Sequence, residues 1–599
     1  MNSLLPLYKC LLADAERWCC ASTLRDYEKI TERVKHEGLS FLTITLPSFC
    51  SDFERSLADG KVAPGCFVAF SKHRALPRFL GGLLRQVFDQ KSGCILDVPC
   101  ITSIYYIRQI CLYSKKVLLP CSPERVRKAF SKYIECEEDV KKHDSKLSYE
   151  LDSLQRVSGL LFGSLLSNIN LTVSEGLHVP KHGPGKTADG ISGNRKFDFR
   201  FWSRRLEDNF FPSADFLIPN YGYSDELSRV TFFEPGLEPP VKVVQVPKTL
   251  KTPRIIAMEP AHMQYAQQGL MELLIHNLEK SRRLGKMIGF IDQSINQEMA
   301  RSGSKSGKLA TLDLSEASDR VSLRHVVSLL KPYPSLYAAV MACRSETADV
   351  PGHGIVSLSK FASMGSALCF PIEAMVFLTI IFLGIEKRLM RPLTSNDILR
   401  YHGRVRVYGD DIIIPTGEVP SVVEALETFG LKVNSAKSFW TGKFRESCGG
   451  EYYDGESVKP VRLTHLPPNH RRQASEFASF VAHRNQLYEA GLWVTAEHID
   501  NVLERLAPFP VIRKDSQGLG RHSFLDVFTK GKWCPKLQRW LAKASVVVSK
   551  IPKSPLSDSG ALMKFFLKRG EDPYFDEDHL SYAGRARSVD TRLRWVSSQ

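Results

Sequence analysis

The stretch Arg404-Val405-Arg406-Val407-Tyr408-Gly409-Asp410-Asp411-Ile412-Ile413-Ile414-Pro415 sets two β-branched runs on either side of a Gly-Asp pair. Strand-like runs separated by two residues, the first a glycine able to take positive φ, read as a tight hairpin. Asp410 and Asp411 then sit side by side at the bend. Adjacent carboxylates repel and raise one another's pKa, so a divalent cation is their natural partner, and hard oxygen ligands favour magnesium. The same residues also suit a polar surface turn. The reading therefore depends on what else the chain brings to that turn.

A third carboxylate lies upstream. Leu309-Ala310-Thr311-Leu312-Asp313-Leu314 alternates like a half-buried strand, and the residues after it lead into an amphipathic pattern at Val321, Val326, Val327 and Leu330. Three carboxylates on neighbouring strand ends can hold two cations roughly 3.5 to 4 Å apart, an arrangement suited to phosphoryl or nucleotidyl transfer. Further upstream, Val246-Pro247-Lys248-Thr249-Leu250-Lys251-Thr252-Pro253-Arg254 spaces three cations by turn residues. Positive charge beside a carboxylate centre is what a triphosphate needs as its pyrophosphate leaves. Downstream, residues 421–429 read as a helix stopped by Gly430, and Lys437 follows as either a proton donor or a surface lysine.

Composition agrees with a polyanionic partner. The chain has 599 residues, 43% hydrophobic and 24% charged, with a formal charge of +16. Excess Lys and Arg attract phosphate backbones and release counterions. The N-terminus lacks the basic and apolar regions of a secretory signal. The longest apolar run, residues 374–385, is shorter than the roughly 20 residues of a membrane span, so a buried helix and no membrane association are expected. Ten of the fourteen cysteines precede residue 137, with no paired Cys-x-x-Cys spacing, so reduced thiols are expected. Residues 1–175 read as mainly helical, residues 178–197 as a Gly- and Lys-rich loop, residues 474–493 as a helix, and the C-terminus as a basic tail with Arg585, Arg587, Arg592 and Arg594.

The order Lys248/Lys251/Arg254, Asp313, Ser363-Met364-Gly365, Tyr408-Gly409-Asp410-Asp411, Lys437 resembles motifs F, A, B, C and D of right-handed palm polymerases. More narrowly, residues 240–460 resemble the RNA replicase catalytic subunits of the positive-strand RNA bacteriophages, the leviviruses. The closer match is carried by Ala310 through Asp319, Asp292-Gln293-Ser294-Ile295-Asn296-Gln297, Val407 through Pro415, and Phe444-Arg445-Glu446-Ser447-Cys448-Gly449 with Tyr452-Tyr453.

The resemblance implies an α+β right-hand fold with an antiparallel palm sheet flanked by helices. Its expected parts are a helical region with part of the fingers at 1–175, fingers with the basic motif at 176–300, palm at 301–445, and thumb with C-terminal region at 446–599. It implies RNA-templated RNA synthesis from ribonucleoside triphosphates, initiated without a primer, on RNA template and product. Asp313, Asp410 and Asp411 would hold two Mg2+ ions, with Mn2+ as a substitute, and Lys437 would be the general acid. Lys248, Lys251, Arg254, Asp319, Ser363 and Gly365 would contact the nucleotide, and Phe444, Arg445 and Ser447 would belong to the hairpin bordering the thumb, near the growing RNA 3′ end. Host elongation factors Tu and Ts, a ribosomal RNA-binding protein and the bacterial cytoplasm complete the picture. Two departures stand out. Ser366-Ala367-Leu368-Cys369 replaces the family's Asn-Gly-Tyr-Thr, so a threonine contact to the nucleotide does not carry over, and Asp319 lies one residue further from Asp313 than in many palm polymerases. A reverse transcriptase shares the aspartate pair, and a basic RNA-packaging protein shares the charge. The residues around Gly409 look more like RNA-templated RNA polymerases than the first, and three metal-suited carboxylates are not explained by the second.

Overall fold

The computed structural model describes residues 4–147, 149–191, 193–525, 531–549, 558–568 and 589–598. Its centre is an antiparallel sheet in the order Arg406–Tyr408, Asp411–Pro415, Leu309–Ser315, Lys432–Val433. Pairing Ile412 with Leu312 and Ile414 with Ala310 buries apolar side chains along the two middle strands. The helix Cys369–Leu389 belongs to the same core; its Gly384 leaves room for the Val419–Thr428 helix, since a Cβ there would lie 2.7 Å from Val422 Cα. That central helix is longer than the 374–385 run expected. It and Glu150–Ser174 are long and apolar enough by composition to cross a membrane, and 83% of the tested window of Cys369–Leu389 is buried within the protein.

A second sheet, ordered Arg254–Met258, Val241–Val246, Thr347–Val350, Gly354–Ser357, carries the basic strip at one end of its first hairpin. The hairpin of Phe444–Ser447 and Gly450–Tyr453 packs on the Ser294–Ser306 helix and reaches back to the central sheet. Mixed helices and sheets agree with the expected α+β class.

Several boundaries differ from expectation. The first 117 residues share a hydrophobic core with residues 439–509, whereas Tyr149–Ser174 packs into the core of the central sheet. Residues 1–175 are therefore not one unit, because apolar faces of the early helices find partners far along the chain. The 300/301 boundary falls inside the Ser294–Ser306 helix and the 445/446 boundary inside the Phe444–Ser447 strand. The expected helix over 474–493 ends at Glu489; Gly491 takes φ +81°, and Trp493 begins a second helix to Glu504. The glycine-rich loop is pinned, with the Lys196 ammonium donating to Gly183 O at 2.9 Å and Gly185 O at 2.6 Å. Arg592 and Arg594 lie on the strand Val589–Ser597, while Arg585 and Arg587 lie outside the described residues.

The N-terminal region is joined to the Phe444–Tyr453 hairpin by a buried guanidinium. Arg108, 1% exposed, meets Glu54 at 2.7 Å and Glu451 at 2.5 Å, donates to Val458 O at 2.5 Å, and stacks over Phe444. Removing one partner of a buried ion pair leaves an uncompensated charge and costs about 3 to 5 kcal/mol. Arg108→Met is expected to destabilise the protein by that order in urea unfolding; a loss below about 1 kcal/mol would show that the cluster contributes little.

Candidate active site

The hairpin turn forms as its residues dictate. Tyr408 pairs with Asp411, leaving Gly409 and Asp410 as the two central residues, and Gly409 alone of the pair takes positive φ, +57°. Glycine is also required sterically, because a Cβ would stand 2.6 Å from the Phe370 ring. Asp411 is the first residue of its strand and lies in register with Asp313 across the sheet. Antiparallel partners share a face, so these two carboxylates are neighbours, with exposed Asp410 at the tip.

Each carboxylate has its own surroundings. Asp313 accepts from Asn434 Nδ2 at 2.8 Å and from Lys437 Nζ at 3.2 Å. Burial lifts its carboxyl above the ordinary value; Lys437 pulls it back and Asp410 adds to the rise. Asp411 Oδ2 accepts the Cys448 N–H at 3.1 Å, and burial reinforced by Asp410 pushes it up to about 6. Asp410 accepts no hydrogen bond among the described residues. Beneath the turn, Glu373 is buried and accepts from Ser318 Oγ at 2.6 Å; burial, with Asp410 adding, pushes it up to about 8. Burial alone would lower Lys437, but Asp313 and Glu446 outweigh it and hold the ammonium protonated.

The oxygen-only donor set of Asp313, Asp410 and Asp411 suits a hard divalent cation, and the carboxyls of Asp313 and Asp411 are raised first by burial and then by the neighbouring Asp410 charge. As arranged, Lys437 stands against Asp313. Among the described residues no group of three His, Cys, Asp or Glu closes into a metal-holding arrangement.

The basic strip reaches the same space unevenly. Lys248 lies close enough to feel Arg254, Lys437, Asp410 and Asp313; burial first and then the two cations lower its pKa. Arg254 opens its strand, paired with Val246, and Lys251 sits at the outer turn. All three are exposed, and none makes an ion pair among the described residues. Asp319 and Ser363 are brought together, with Ser363 Oγ donating to Asp319 Oδ1 at 3.1 Å. Gly365 has φ +135°, and a Cβ there would fall 1.9 Å from Ala257 O, so it serves the close seating of its loop on the basic-strip hairpin.

The segment expected to form a hairpin does so, with its side chains turned inward. Phe444, Arg445 and Ser447 are each fully buried. Arg445 spends its guanidinium on the carbonyls of Leu309, Thr441, Gly442 and Phe444. Phe444 packs on Phe439, and Ser447 accepts from Asn296. These side chains brace the hairpin from inside and do not face a strand of RNA; what the hairpin offers the site is the Cys448 N–H at its tip.

Residues 236–468 match the family described as RNA replicase, beta-chain. Over 223 residues the chain is 39% identical to the RNA-directed RNA polymerase beta chain of Enterobacteria phage fr, covering 37% of each. Over 224 residues it is 38% identical to the RNA-directed RNA polymerase subunit beta of Escherichia virus Qbeta, covering 37% of this chain and 35% of that one. The match thus spans little more than a third of the relatives' length. Among solved structures, the RNA-dependent RNA polymerase of a human picorbirnavirus aligns with 44% of this chain and 55% of its own at 13% identity and TM-score 0.31.

Within the replicase segment, sequence reasoning passed over Asn434, Cys448, Lys360 and Glu373. Only Glu373 left a signal: an acid inside an otherwise apolar helix must find a partner. Asn434 and Cys448 act through local turns, and nothing in the order of residues marks them.

The raised Asp411 carboxyl has a consequence for stability. The folded protein holds this proton up to about 6, while the unfolded chain releases it near 3.8. Stability contributed by the bound proton is therefore present below 3.8, falls as pH rises to about 6, and stays lost above. In cation-free buffer, Asp411→Asn is expected to melt higher than the parent at pH 8 and to lose that advantage by pH 4; an equal difference at both values would contradict the burial argument.

Proposed function

We propose that this chain is an RNA-directed RNA polymerase that joins ribonucleoside triphosphates to an RNA 3′ hydroxyl and releases pyrophosphate. The observation that carries the reading is the register of Asp313 against Asp411 with Asp410 at the adjoining tip, lying inside the segment that matches the replicase family. The central sheet is then the palm of a right-hand fold, the basic-strip sheet belongs to the fingers, and the chain beyond the Phe444–Tyr453 hairpin contributes the thumb.

Asp313 and Asp410 are the principal holders of two Mg2+ ions, with Asp411 assisting and Mn2+ as a substitute. Bound there, such ions supply positive charge against the reacting phosphates and favour ionisation of the attacking hydroxyl. Lys248, Lys251 and Arg254 bind the triphosphate and offset charge on the departing pyrophosphate. Lys437, kept protonated by Asp313, holds a proton where pyrophosphate leaves and is the general acid. Asn434 and the Cys448 N–H orient Asp313 and Asp411.

The RNA template and its product are the macromolecular ligands, and initiation proceeds without a primer. Recruitment of host elongation factors Tu and Ts and of a ribosomal RNA-binding protein, in the bacterial cytoplasm, belongs to the same proposal. Asp410→Asn is expected to abolish magnesium-dependent ribonucleotide incorporation on an RNA template while leaving thermal unfolding and RNA binding close to the parent's. Undiminished incorporation by that variant would sink the assignment.

A further inference from the structure

The helix Pro123–Asp144, outside the matched segment, lays the side chains of Tyr133 and Glu137 against the Ser359–Ser363 loop. Lys360 is fully buried, yet its ammonium lies 3.1 Å from Asp319 Oδ1, 3.4 Å from Glu137 and 3.5 Å from the centre of the Tyr133 ring. Ser363 Oγ donates to the same Asp319 oxygen at 3.1 Å, and Tyr133 shares a 2.8 Å hydrogen bond with Ser363 Oγ. Glu137 Oε1 accepts the backbone N–H groups of Ser359 and Lys360, so one helix fixes the loop that carries both Lys360 and Ser363.

Proton directions follow from chemistry. A buried ammonium persists only opposite ionised partners, and an ionised carboxylate only accepts. Ser363 therefore gives its proton to Asp319, and Tyr133 gives its own to Ser363. Asp319 Oδ1 takes two donors, whereas Oδ2 takes none among the described residues, and the side chain remains 23% exposed. Next to it in the chain, Ser318 is anchored on Glu373 beneath the Gly409 turn, which brings this segment close to the carboxylate hairpin.

We infer that Lys360 and Tyr133 are positioning residues that hold Asp319 with one carboxylate oxygen open to a sugar hydroxyl, and that this relay sets the preference for ribose over 2′-deoxyribose. The inference rests on the polymerase reading and extends it to two residues that reading does not use. A fixed, desolvated acceptor favours a substrate that donates to it and rejects one that leaves it unpaired. Without Lys360, Asp319 loses the cation that orients it.

The test is kcat/KM for CTP and for 2′-deoxyCTP on an RNA template, measured for the full chain, Lys360→Met and Tyr133→Phe, with circular dichroism confirming folding. Tyr133→Phe keeps the ring under the ammonium and removes only the hydroxyl, so it reports even where Lys360→Met fails to fold. The ribose preference is expected to fall about tenfold or more in Lys360→Met and severalfold in Tyr133→Phe, through poorer use of CTP with 2′-deoxyCTP little changed, as loss of a charge-assisted hydrogen bond predicts. Folded variants that keep the parent's preference, or that lose both substrates equally, overturn the inference while leaving the polymerase reading intact. A parent chain that incorporates neither nucleotide overturns the polymerase reading itself.

Discussion

Two acids placed opposite each other on neighbouring strands form the constraint around which this molecule is arranged. Like charges directly across a sheet destabilise it, yet Asp411 and Asp313 are in register where Ile412 with Leu312 and Ile414 with Ala310 continue the pairing as apolar contacts. The surroundings answer the repulsion group by group. Lys437 and Asn434 turn to Asp313, the Cys448 N–H turns to Asp411, and Asp410 is left outward on a turn that only glycine permits at Gly409. A sheet that keeps such a pair in register on its two middle strands carries a cost in stability.

Much of the chain outside the replicase segment serves to hold that edge in place. Arg108 ties the first helices to Glu451 on the hairpin whose tip bonds Asp411, and Tyr133 and Glu137 brace the loop beside Asp319. Both clusters bury charge only in paired form, so a change in the N-terminal region is transmitted to the site as a shift of a hairpin or a loop. The basic strip, by contrast, is exposed and free of ion pairs among the described residues.

The carboxylate hairpin, its partner strand and the basic strip were legible because each is a local pattern: period-two alternation, a glycine at a two-residue bend, cations separated by turn formers. Lys437 was legible only as one of two readings, and its contact with Asp313 decides its location. What the sequence concealed is what depends on long-range packing. Arg445 looks like an RNA-binding arginine until the hairpin folds inward and its guanidinium meets four carbonyls. Lys360 looks like a surface lysine, and Tyr133 stands 230 residues from the serine it bonds. Shared cores are hidden for the same reason: residues 4–117 complete theirs with residues 439–509, and no local feature announces a partner that distant.

The central claim is that Asp313, Asp410 and Asp411 form one cation site. A crystal structure of the protein grown with manganese, read by anomalous scattering, tests it directly. The account predicts manganese density bounded by Asp313 and Asp410, with Lys437 withdrawn from Asp313. Density elsewhere alone, with the Lys437–Asp313 contact intact at saturating manganese, would contradict it.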